Sequence, residues 1–492
     1  MKYISTRDKS TAVSAAEAIS RGLSREGGLF LPDSIPALTG ENIGKIAALP
    51  YRERAELIMG RFLEDYSPVE LREFCARAYG DNFDCPECAP TVRLGGGTHV
   101  LELWHGPTSA FKDMALQMLP YLLTAAMKKT GETKKVCILV ATSGDTGKAA
   151  LEGFRDVENT KIMVFYPSDG VSDVQKLQMQ SQEGENVGVV AITGNFDDAQ
   201  SAVKAIFSDE ALREELAAKG WFLSSANSIN WGRLLPQIVY YASSYADLVA
   251  SGEIKNGEKV DFCVPTGNFG DILAGYFAKL MGLPVGKLIC ASNANNVLTD
   301  FINTGVYDRN RSFYTTISPS MDILISSNLE RLLYLLSGDD KLVARLMAEL
   351  KESGKYSAPA DLMESLRASF AAEYLDDAET KEVIGRVWRE KGYLMDTHTA
   401  VAYGALEKYR RENPHRTAVV LSTASPFKFT PAVLEAIGER GDGAGVELID
   451  RLSAATGKAA PKNLSALKTK KARFTKIVEK TELLGEVKSF LR

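Results

Sequence analysis

The spacing of apolar and polar positions changes near residue 90 and divides the chain. Before this point "YRERAELIMGRFLEDY" and "SPVELREFCARAYG" carry apolar residues at helical spacing, and the second opens with a Ser-Pro signal for a helix start. "AAEAISRGL" followed by "REGGLFLPDSIP" is typical of a helix, a glycine turn, a short strand and a proline-rich exit. Residues 1–90 are therefore predicted to form a mostly helical N-terminal domain.

From residue 91 the pattern alternates between strands and helices. Stretches such as "KKVCILVA", "TKIMVFYP", "VGVVAI", "DFCVP" and "KLICAS" are apolar throughout, and a helical pattern follows each. Strands without a polar face predict a parallel sheet that is covered by helices on both faces. We assign this α/β core to residues 91–309 and 391–440, with a last strand in "TAVVLSTASPFKF". Residues 310–390 are interpreted as a helical insertion, and residues 441–492 as a basic, docked, helical C-terminal tail.

Two glycine-rich loops lie between a strand end and a helix start, where parallel sheets bind ligands. In "VPTGNFGDIL" we expect the helix to begin near Ile272, so that main-chain N–H groups and the helix dipole suit a phosphate. A tight turn without a ligand is the alternative, and the glycine spacing does not match a dinucleotide-binding motif. The loop in "ATSGDTGKAA" fails the Walker A pattern at both ends and leaves a nest at residues 143–147 that suits a carboxylate or a phosphate.

The stretch "HGPTSAFKDMALQML" places Lys112 between Phe111 and a buried-looking helix, just after a Gly106-Pro107 turn. A lysine in apolar surroundings has a lowered pKa and becomes a nucleophilic amine. A surface lysine at a helix start is the alternative. A nucleophilic lysine together with a phosphate-binding glycine loop suits pyridoxal 5'-phosphate (PLP), which carries both an aldehyde and a phosphate. Pro120 falls inside the predicted helix, so we expect a kink or a break there.

Composition narrows the class of protein further. The 492 residues are 45% hydrophobic and 25% charged, which is ordinary for a globular protein, and the length predicts two or three domains. The net charge of −5 gives no reason to expect nucleic acid or a membrane as a partner. We see no signal peptide and no apolar run of the ~18–20 residues that a membrane span needs. Six cysteines predict a reduced, cytoplasmic protein. Cys85 and Cys88 are interpreted as free thiols near a turn, because a closed zinc site needs four ligands.

At this point the motifs carry a resemblance. In order, "HGPTSAFKD", "ATSGDTG", "SANSINWGRLLPQIVYY", "PTGNFGD" and "LSTASPFKF" resemble threonine synthase, as does the N-terminal "GLSREGGLFLP". The similarity runs from near residue 1 to at least residue 430. It implies an α/β protein of PLP fold type II, with parallel sheets flanked by helices. It also implies a PLP-dependent lyase that converts O-phospho-L-homoserine and water to L-threonine and phosphate by γ-elimination and β-addition, in amino-acid biosynthesis from aspartate.

The resemblance implies a role for each motif residue. Lys112 is implied to bind the cofactor covalently and to act as general base, and Thr423 to hydrogen-bond the pyridine nitrogen. The implied contacts of the cofactor phosphate are Gly267, Asn268, Phe269, Gly270 and Asp271. Those of the substrate carboxylate are Ser143, Gly144, Asp145 and Thr146, and those of the substrate phosphate are Asn227 and Arg233. Ser425 departs from the family, which usually has a histidine at this position.

Alternatives remain open on the sequence alone. Without the resemblance, Arg233 could be either a ligand for an anion or a charge on the surface of a helix. A phospho-lyase that gives 2-oxobutyrate would share the substrate-phosphate residues, whereas a serine/threonine dehydratase has no substrate phosphate for Asn227 and Arg233 to bind. A relative that only binds ligand would not need Lys112. The expected partner is a small-molecule substrate, the expected assembly a monomer or homodimer, and no response to S-adenosylmethionine is expected because no extra N-terminal regulatory segment is seen.

Overall fold

In the computed structural model, which describes residues 1–194, 196–413, 415–443 and 445–492 without the side chains of residues 196 and 197, the N-terminal segment combines helices with a small antiparallel sheet. Its strands are β1 (Tyr3–Ser5), β2 (Ala12–Val13) and β3 (Phe30–Pro32), and its helices are α1 (Ala15–Arg21), α2 (Gly40–Ala47), α3 (Tyr51–Met59) and α4 (Pro68–Ala78). Ser67 caps α4 in a reciprocal arrangement with Glu70, which confirms the predicted Ser-Pro helix start. The mostly helical character of the segment is confirmed as well.

The next stretch of chain alternates strands and helices as the pattern predicts. The strands are β4 (Thr91–Gly95), β5 (Thr98–Glu102), β6 (Lys135–Ala141), β7 (Thr160–Pro167), β8 (Val187–Ile192), β9 (Trp221–Ser224), β10 (Val260–Pro265), β11 (Val285–Ser292) and β12 (Val306–Asp308). The helices are α5 (Asp113–Leu116), α6 (Leu119–Lys129), α7 (Asp145–Phe154), α8 (Asp173–Gln180), α9 (Phe196–Ser208), α10 (Glu210–Ala218), α11 (Trp231–Ala250), α12 (Gly270–Leu280) and α13 (Val297–Thr304). Helix α12 begins at Gly270, two residues before the expected start at Ile272.

The remaining elements complete the core and form the C-terminal region. Residues 310–440 contribute β13 (Lys355–Ser357), β14 (Phe370–Tyr374), β15 (Ala418–Ser422), α14 (Leu329–Ser337), α15 (Asp340–Ser353), α16 (Ala360–Ser369), α17 (Asp377–Lys391), α18 (Thr397–Glu412), α19 (Thr430–Ala436) and two 3-10 helices, Pro319–Met321 and Pro426–Lys428. Beyond them lie α20 (Glu447–Thr456), α21 (Lys462–Ser465), β16 (Ile477–Val478), α22 (Leu483–Phe490) and the 3-10 helices Ala466–Thr469 and Lys480–Glu482.

Two large sheets carry the fold. The first has the strand order β14-β11-β10-β15-β5-β4 and is parallel except for the antiparallel edge pair β4 and β5. The second has the order β16-β8-β7-β6-β9 and is parallel throughout. Helix α18 packs across the first sheet, and α7 and α9 pack on the second. The predicted parallel sheets flanked by helices are therefore confirmed.

The two segments predicted to be helical are mostly helical, and each also adds an edge strand that was not predicted. Within residues 310–390, β14 pairs with β11 so that Phe370 lies opposite Leu288. Within residues 441–492, the two-residue β16 pairs with β8, and the tail is broken into short helices rather than one. Edge strands of two to five residues are too short to give a readable periodicity. The boundaries of the four predicted domains stay a prediction.

The long helix α11 lies at the centre of the largest apolar cluster. It is buried on nearly all sides and packs against α12 and against α2 and α3 of the N-terminal segment. A smaller cluster joins the second sheet to α22, where Leu483 and Val487 are buried, so the predicted docking of the tail is confirmed. In the described part of the chain no helix is long and apolar enough to cross a membrane.

Candidate active site

A cleft opens where the carboxyl ends of β6, β10 and β15 meet, so that strands of both large sheets contribute to it. Loops at the carboxyl ends of parallel strands are where such folds bind ligands. The residues predicted from the sequence that line the cleft are Lys112, Ser143, Thr146, Asn227, Arg233, Gly267, Asn268, Phe269, Gly270, Asp271 and Thr423. Of the predicted set, Gly144 and Asp145 are not among the described residues that line it.

Lys112 is buried in this cleft, with only 7% of its surface exposed. Its Nζ donates a hydrogen bond to Ser320 Oγ at 3.1 Å, lies 3.6 Å from Asp145 Oδ2 and sits 4.7 Å from the centre of the Phe111 ring. Burial lowers the pKa of Lys112 to about 8, against the opposing effect of the Asp145 carboxylate. Because the side chain is buried, the alternative of a surface lysine is wrong.

The turn before Lys112 is held by the residue after it. The Asp113 carboxylate accepts hydrogen bonds from Thr108 N at 2.8 Å and Thr108 Oγ1 at 2.7 Å. A side chain on Gly106 would place its Cβ 2.6 Å from Asp113, so only glycine allows this close approach. Helix α5 then ends at Leu116, and Pro120 lies in the first turn of α6, which confirms the predicted break.

The glycine loop at residues 267–271 presents its main chain to the cleft. Phe269 adopts a left-handed conformation with φ of 63° and begins α12. No acceptor within the described residues pairs with the N–H groups of residues 267–271. A Cβ on Gly267 would lie 2.7 Å from the main-chain oxygen of Ser320. Unpaired N–H groups at the start of an 11-residue helix suit a phosphate.

The side chain of Asp271 is engaged elsewhere. Its Oδ1 accepts hydrogen bonds from Tyr240 at 2.6 Å and Tyr241 at 2.9 Å. Burial raises the pKa of Asp271 to about 6, against the lowering effect of these two hydroxyl groups. A carboxylate repels a phosphate, so any contact of Asp271 with one falls to its main-chain N–H.

Arg233 is a buried cation without an acidic partner. It lies in the first turn of α11, is 5% exposed, and its Nη1 donates to Ala226 O at 2.5 Å. Among the described residues, its Nε has no hydrogen-bond partner and no carboxylate lies within ion-pair distance of the guanidinium. Burial lowers the pKa of Arg233 to about 10. The helix-surface alternative is therefore wrong, and a buried unpaired guanidinium beside Asn227 suits an anion.

The loop at residues 143–146 divides its roles between main chain and side chains. Gly144 has φ of 133° and precedes α7, and Thr142 Oγ1 accepts from the N–H groups of Gly144 and Gly147 at 2.9 Å each. Ser143 and Thr146 line the cleft, and no acceptor in the described chain pairs with their N–H groups. The loop can thus bind a carboxylate through its main chain.

The side chain of Asp145 is engaged by other groups of the protein. Its carboxylate lies 2.6 Å from Lys428 Nζ and accepts from Gln175 Nε2 at 2.7 Å. Burial alone would raise the pKa of Asp145, but the ammonium groups of Lys428 and Lys112 outweigh it and hold the pKa well below its usual range. Since one carboxylate repels another, any contact of Asp145 with a substrate carboxylate falls to its main-chain N–H.

Thr423 and Ser425 end in different places after β15. Thr423 lines the cleft, and its main-chain oxygen accepts from Phe111 N at 2.8 Å, which ties the strand end to the lysine turn. Ser425 is buried, and its Oγ accepts from Phe427 N at 3.4 Å as the cap of a 3-10 helix. Ser425 is not among the described residues that line the cleft.

Two of the cleft residues that were not predicted from the sequence are His398 and Ser320. His398 lines the cleft, accepts from Ser320 N at 3.1 Å through Nε2, and is paired through Nδ1 with Asp396 at 2.8 Å. The available signal was the Asp396 cap two residues before a histidine in "DTHTA". Ser320 lies in a short 3-10 helix of the segment taken for a helical insertion, and nothing in its sequence marks it.

Three models of known protein families together match nearly the whole chain. A model described as "Threonine synthase N terminus" matches residues 2–79, one described as "Pyridoxal-phosphate dependent enzyme" matches residues 90–424, and one described as "Threonine synthase, C-terminal" matches residues 399–490.

Individual proteins give the same assignment. The chain is 42% identical over 454 residues to threonine synthase-like 1 of Homo sapiens, covering 88% of this chain but 60% of that relative, so it spans about 60% of the relative's length. It is 42% identical over 438 residues to threonine synthase of Pseudomonas aeruginosa, covering 89% and 90% of the two chains. It is 38% identical over 465 residues to threonine synthase of Saccharomyces cerevisiae, covering 88% and 89%.

Solved structures agree in fold over the full length. A PLP-bound threonine synthase from Brucella melitensis superposes with a TM-score of 0.88 at 36% identity, covering 100% of both chains. Yeast threonine synthase superposes with a TM-score of 0.87 at 35% identity, covering 100% of this chain and 98% of the other.

Proposed function

The chain belongs to the threonine synthase family of pyridoxal-phosphate dependent enzymes, and on that premise we propose that it converts O-phospho-L-homoserine and water to L-threonine and phosphate. The observation that carries the proposal is the presence of two separate anion-binding features around one buried lysine. Among the described residues, the N–H groups of residues 267–271 have no acceptor, and the Arg233 guanidinium has a free Nε and no acidic partner. A cofactor phosphate and a substrate phosphate need two such features in one cleft.

The cleft residues suit PLP. In our proposal the main chain of residues 267–271 holds the phosphate, Lys112 Nζ bonds to carbon 4′, and the Thr423 hydroxyl meets the pyridine nitrogen. The cofactor, when bound, supplies an electron-withdrawing system that makes a proton on the substrate α-carbon removable. Thr423 is a neutral partner, so it leaves the pyridine nitrogen unprotonated and disfavours transamination.

Lys112 has two tasks in this proposal. It would anchor the cofactor covalently, and its amine would take the proton from the substrate α-carbon. A general base works best when its pKa lies near the working pH, and burial lowers the pKa of Lys112 to about 8. Ser320 Oγ, 3.1 Å from Nζ, directs the amine within the cleft.

The substrate is held at both ends. We assign its carboxylate to the N–H groups of the loop at residues 143–146, and its phosphate to Arg233 with Asn227. The Arg233 guanidinium keeps its charge through the reaction and meets phosphate oxygens with two parallel hydrogen bonds. Because the phosphate gains charge as it leaves, this contact strengthens towards the transition state.

The product identifies the reaction. The chain should be loaded with PLP and incubated with O-phospho-L-homoserine in water labelled with ¹⁸O, and the organic product identified by mass spectrometry. We expect threonine with the label in its hydroxyl group, since water adds at the β-carbon. Release of 2-oxobutyrate as the sole organic product would contradict the proposal and favour a phospho-lyase. A Lys112→Ala chain, which should release no phosphate, controls for spontaneous breakdown.

The cytoplasmic location, the place in biosynthesis from aspartate and the monomeric or homodimeric state stay predictions.

A further inference from the structure

Lys112 shares its acidic neighbour with a second buried lysine. Lys428, fully buried in the 3-10 helix after β15, lies 2.6 Å from Asp145 Oδ1, whereas Lys112 lies 3.6 Å from Asp145 Oδ2. Lys428 Nζ also donates to Thr108 O at 3.0 Å, which fixes the ammonium group in place. Asp145 therefore lies between two lysines and is engaged more closely by the one outside the cleft lining.

We propose that Lys428 is a positioning residue that engages the Asp145 carboxylate and thereby keeps the Lys112 amine free for covalent chemistry. This inference rests on the proposed role of Lys112 as the cofactor-binding lysine. Without Lys428, a buried carboxylate would face Lys112 alone and would stabilise its protonated form, which is not nucleophilic.

The charges around Lys112 are consistent with this role. Burial lowers the pKa of Lys112, Asp145 opposes that effect, and Arg233 and Lys428 add to it. The other titratable groups at the cleft are Asp271 on α12 and His398 on α18. Asp271 accepts from two tyrosine hydroxyl groups, and His398 is paired with Asp396. Among the described carboxylates, only that of Asp145 lies within ion-pair distance of Lys112 Nζ.

Asp145 would stay in place if Lys428 were removed. Gln175 Nε2 donates to its Oδ1 at 2.7 Å, and Ser320 Oγ donates to its Oδ2 at 3.4 Å. Both contacts come from elements other than the one that carries Lys428. Loss of the Lys428 charge therefore acts on Lys112 through electrostatics and does not depend on movement of the carboxylate.

The test measures the Lys112 amine directly. The full-length chain is freed of cofactor, and the rate of its covalent recombination with PLP is followed by visible absorbance as a function of pH. The rate rises as Lys112 loses its proton, so the inflection reports the pKa of this amine. Lys428→Met should move the inflection upward by at least about one pH unit, so that recombination at neutral pH slows about tenfold. Lys428→Arg should restore the inflection of the unaltered chain.

Lys148→Met is the matched control. Lys148 is a buried lysine on the same helix as Asp145, but its Nζ pairs with Glu152 at 3.0 Å and it does not belong to the described cleft lining. Its removal should leave the inflection unchanged. Lys428→Gln, which keeps a donor for Thr108 O, serves as a second uncharged variant if Lys428→Met does not fold.

An unchanged inflection in a folded Lys428→Met or Lys428→Gln chain would overturn the proposal. So would failure of both uncharged variants to fold by circular dichroism, because Lys428 would then be a structural residue. Failure of the underlying premise is distinguishable: if the unaltered chain attaches PLP at a lysine other than Lys112, the role of Lys112 fails and that of Lys428 with it.

Discussion

Replacement of Arg233 by methionine tests the division between two phosphate sites. The guanidinium has an unpaired Nε and one described acceptor, Ala226 O, so it can give a phosphate two charge-assisted hydrogen bonds. At about 1.5–3 kcal/mol each, their loss amounts to about 3–6 kcal/mol. We therefore expect Arg233→Met to lower kcat/KM for O-phospho-L-homoserine by about 10²–10⁴-fold. Part of the loss should lie in kcat, because the leaving phosphate gains charge.

The effect of Arg233→Met on folding stability should differ from its effect on activity. Burial lowers the pKa of Arg233 to about 10, and among the described residues the guanidinium has one acceptor and no carboxylate partner, so its buried charge is a cost to the ligand-free fold. Methionine keeps most of the apolar stem and carries no charge. The free energy of urea unfolding without ligand should therefore not fall. Inorganic phosphate should raise it in the unaltered chain and have less effect in the variant.

Arg331→Met is the matched control for stability. Arg331 is also fully buried, but it donates to three main-chain oxygens, those of Phe30, Ser228 and Ile229. Arg331→Met leaves these three acceptors unpaired, and at about 1 kcal/mol for each acceptor the free energy of unfolding should fall by about 3 kcal/mol. Loss of bound PLP in Arg233→Met, with a normal kcat/KM once the variant is saturated with PLP, would contradict the division into two phosphate sites. Arg233 would then belong to the cofactor site.

Two further predictions concern the glycine loop and the helix break. Gly267→Val should lose PLP during dialysis and lower the Tm of the cofactor-free chain, because a Cβ there would lie 2.7 Å from Ser320 O and the loop would have to shift; Gly44→Val, where nothing lies within 4 Å, is the control, and unchanged PLP content would count against the cradle. Pro120→Ala should change the free energy of unfolding in urea by less than about 1 kcal/mol, because the proline lies in the first turn of α6; a change near the ~3 kcal/mol of an interior proline would contradict this assignment.

The parts of the fold that the sequence predicts are those with long uniform patterns. The five apolar strands quoted from residues 91–309 and their following helices all occur, because a fully buried strand needs an unbroken apolar run. The edge strands β14 and β16 escaped prediction because they are short and half exposed. Their pairing depends on which strand edge is left open, which is a property of the assembled sheet.

The site shows the same division. Lys112 and the two glycine loops stand in local motifs whose geometry follows from neighbouring residues. The Asp145–Lys428 pair joins residues far apart in the chain, and the contact of Ser320 with His398 spans 78 positions. Side chains that meet only after folding leave no local pattern. For this reason the resemblance could place Asp145 in the loop for the substrate carboxylate but could not show that its side chain pairs with Lys428.

The central claim is that Lys112 is the lysine which binds the cofactor, and its most direct test is to map the attachment. The full-length chain is loaded with PLP, treated with borohydride to fix the bond, digested, and analysed by mass spectrometry. We expect the reduced adduct on Lys112 of the unaltered chain and no adduct in Lys112→Ala. An adduct on Lys428 or on any other lysine, with Lys112 unmodified, would contradict the account.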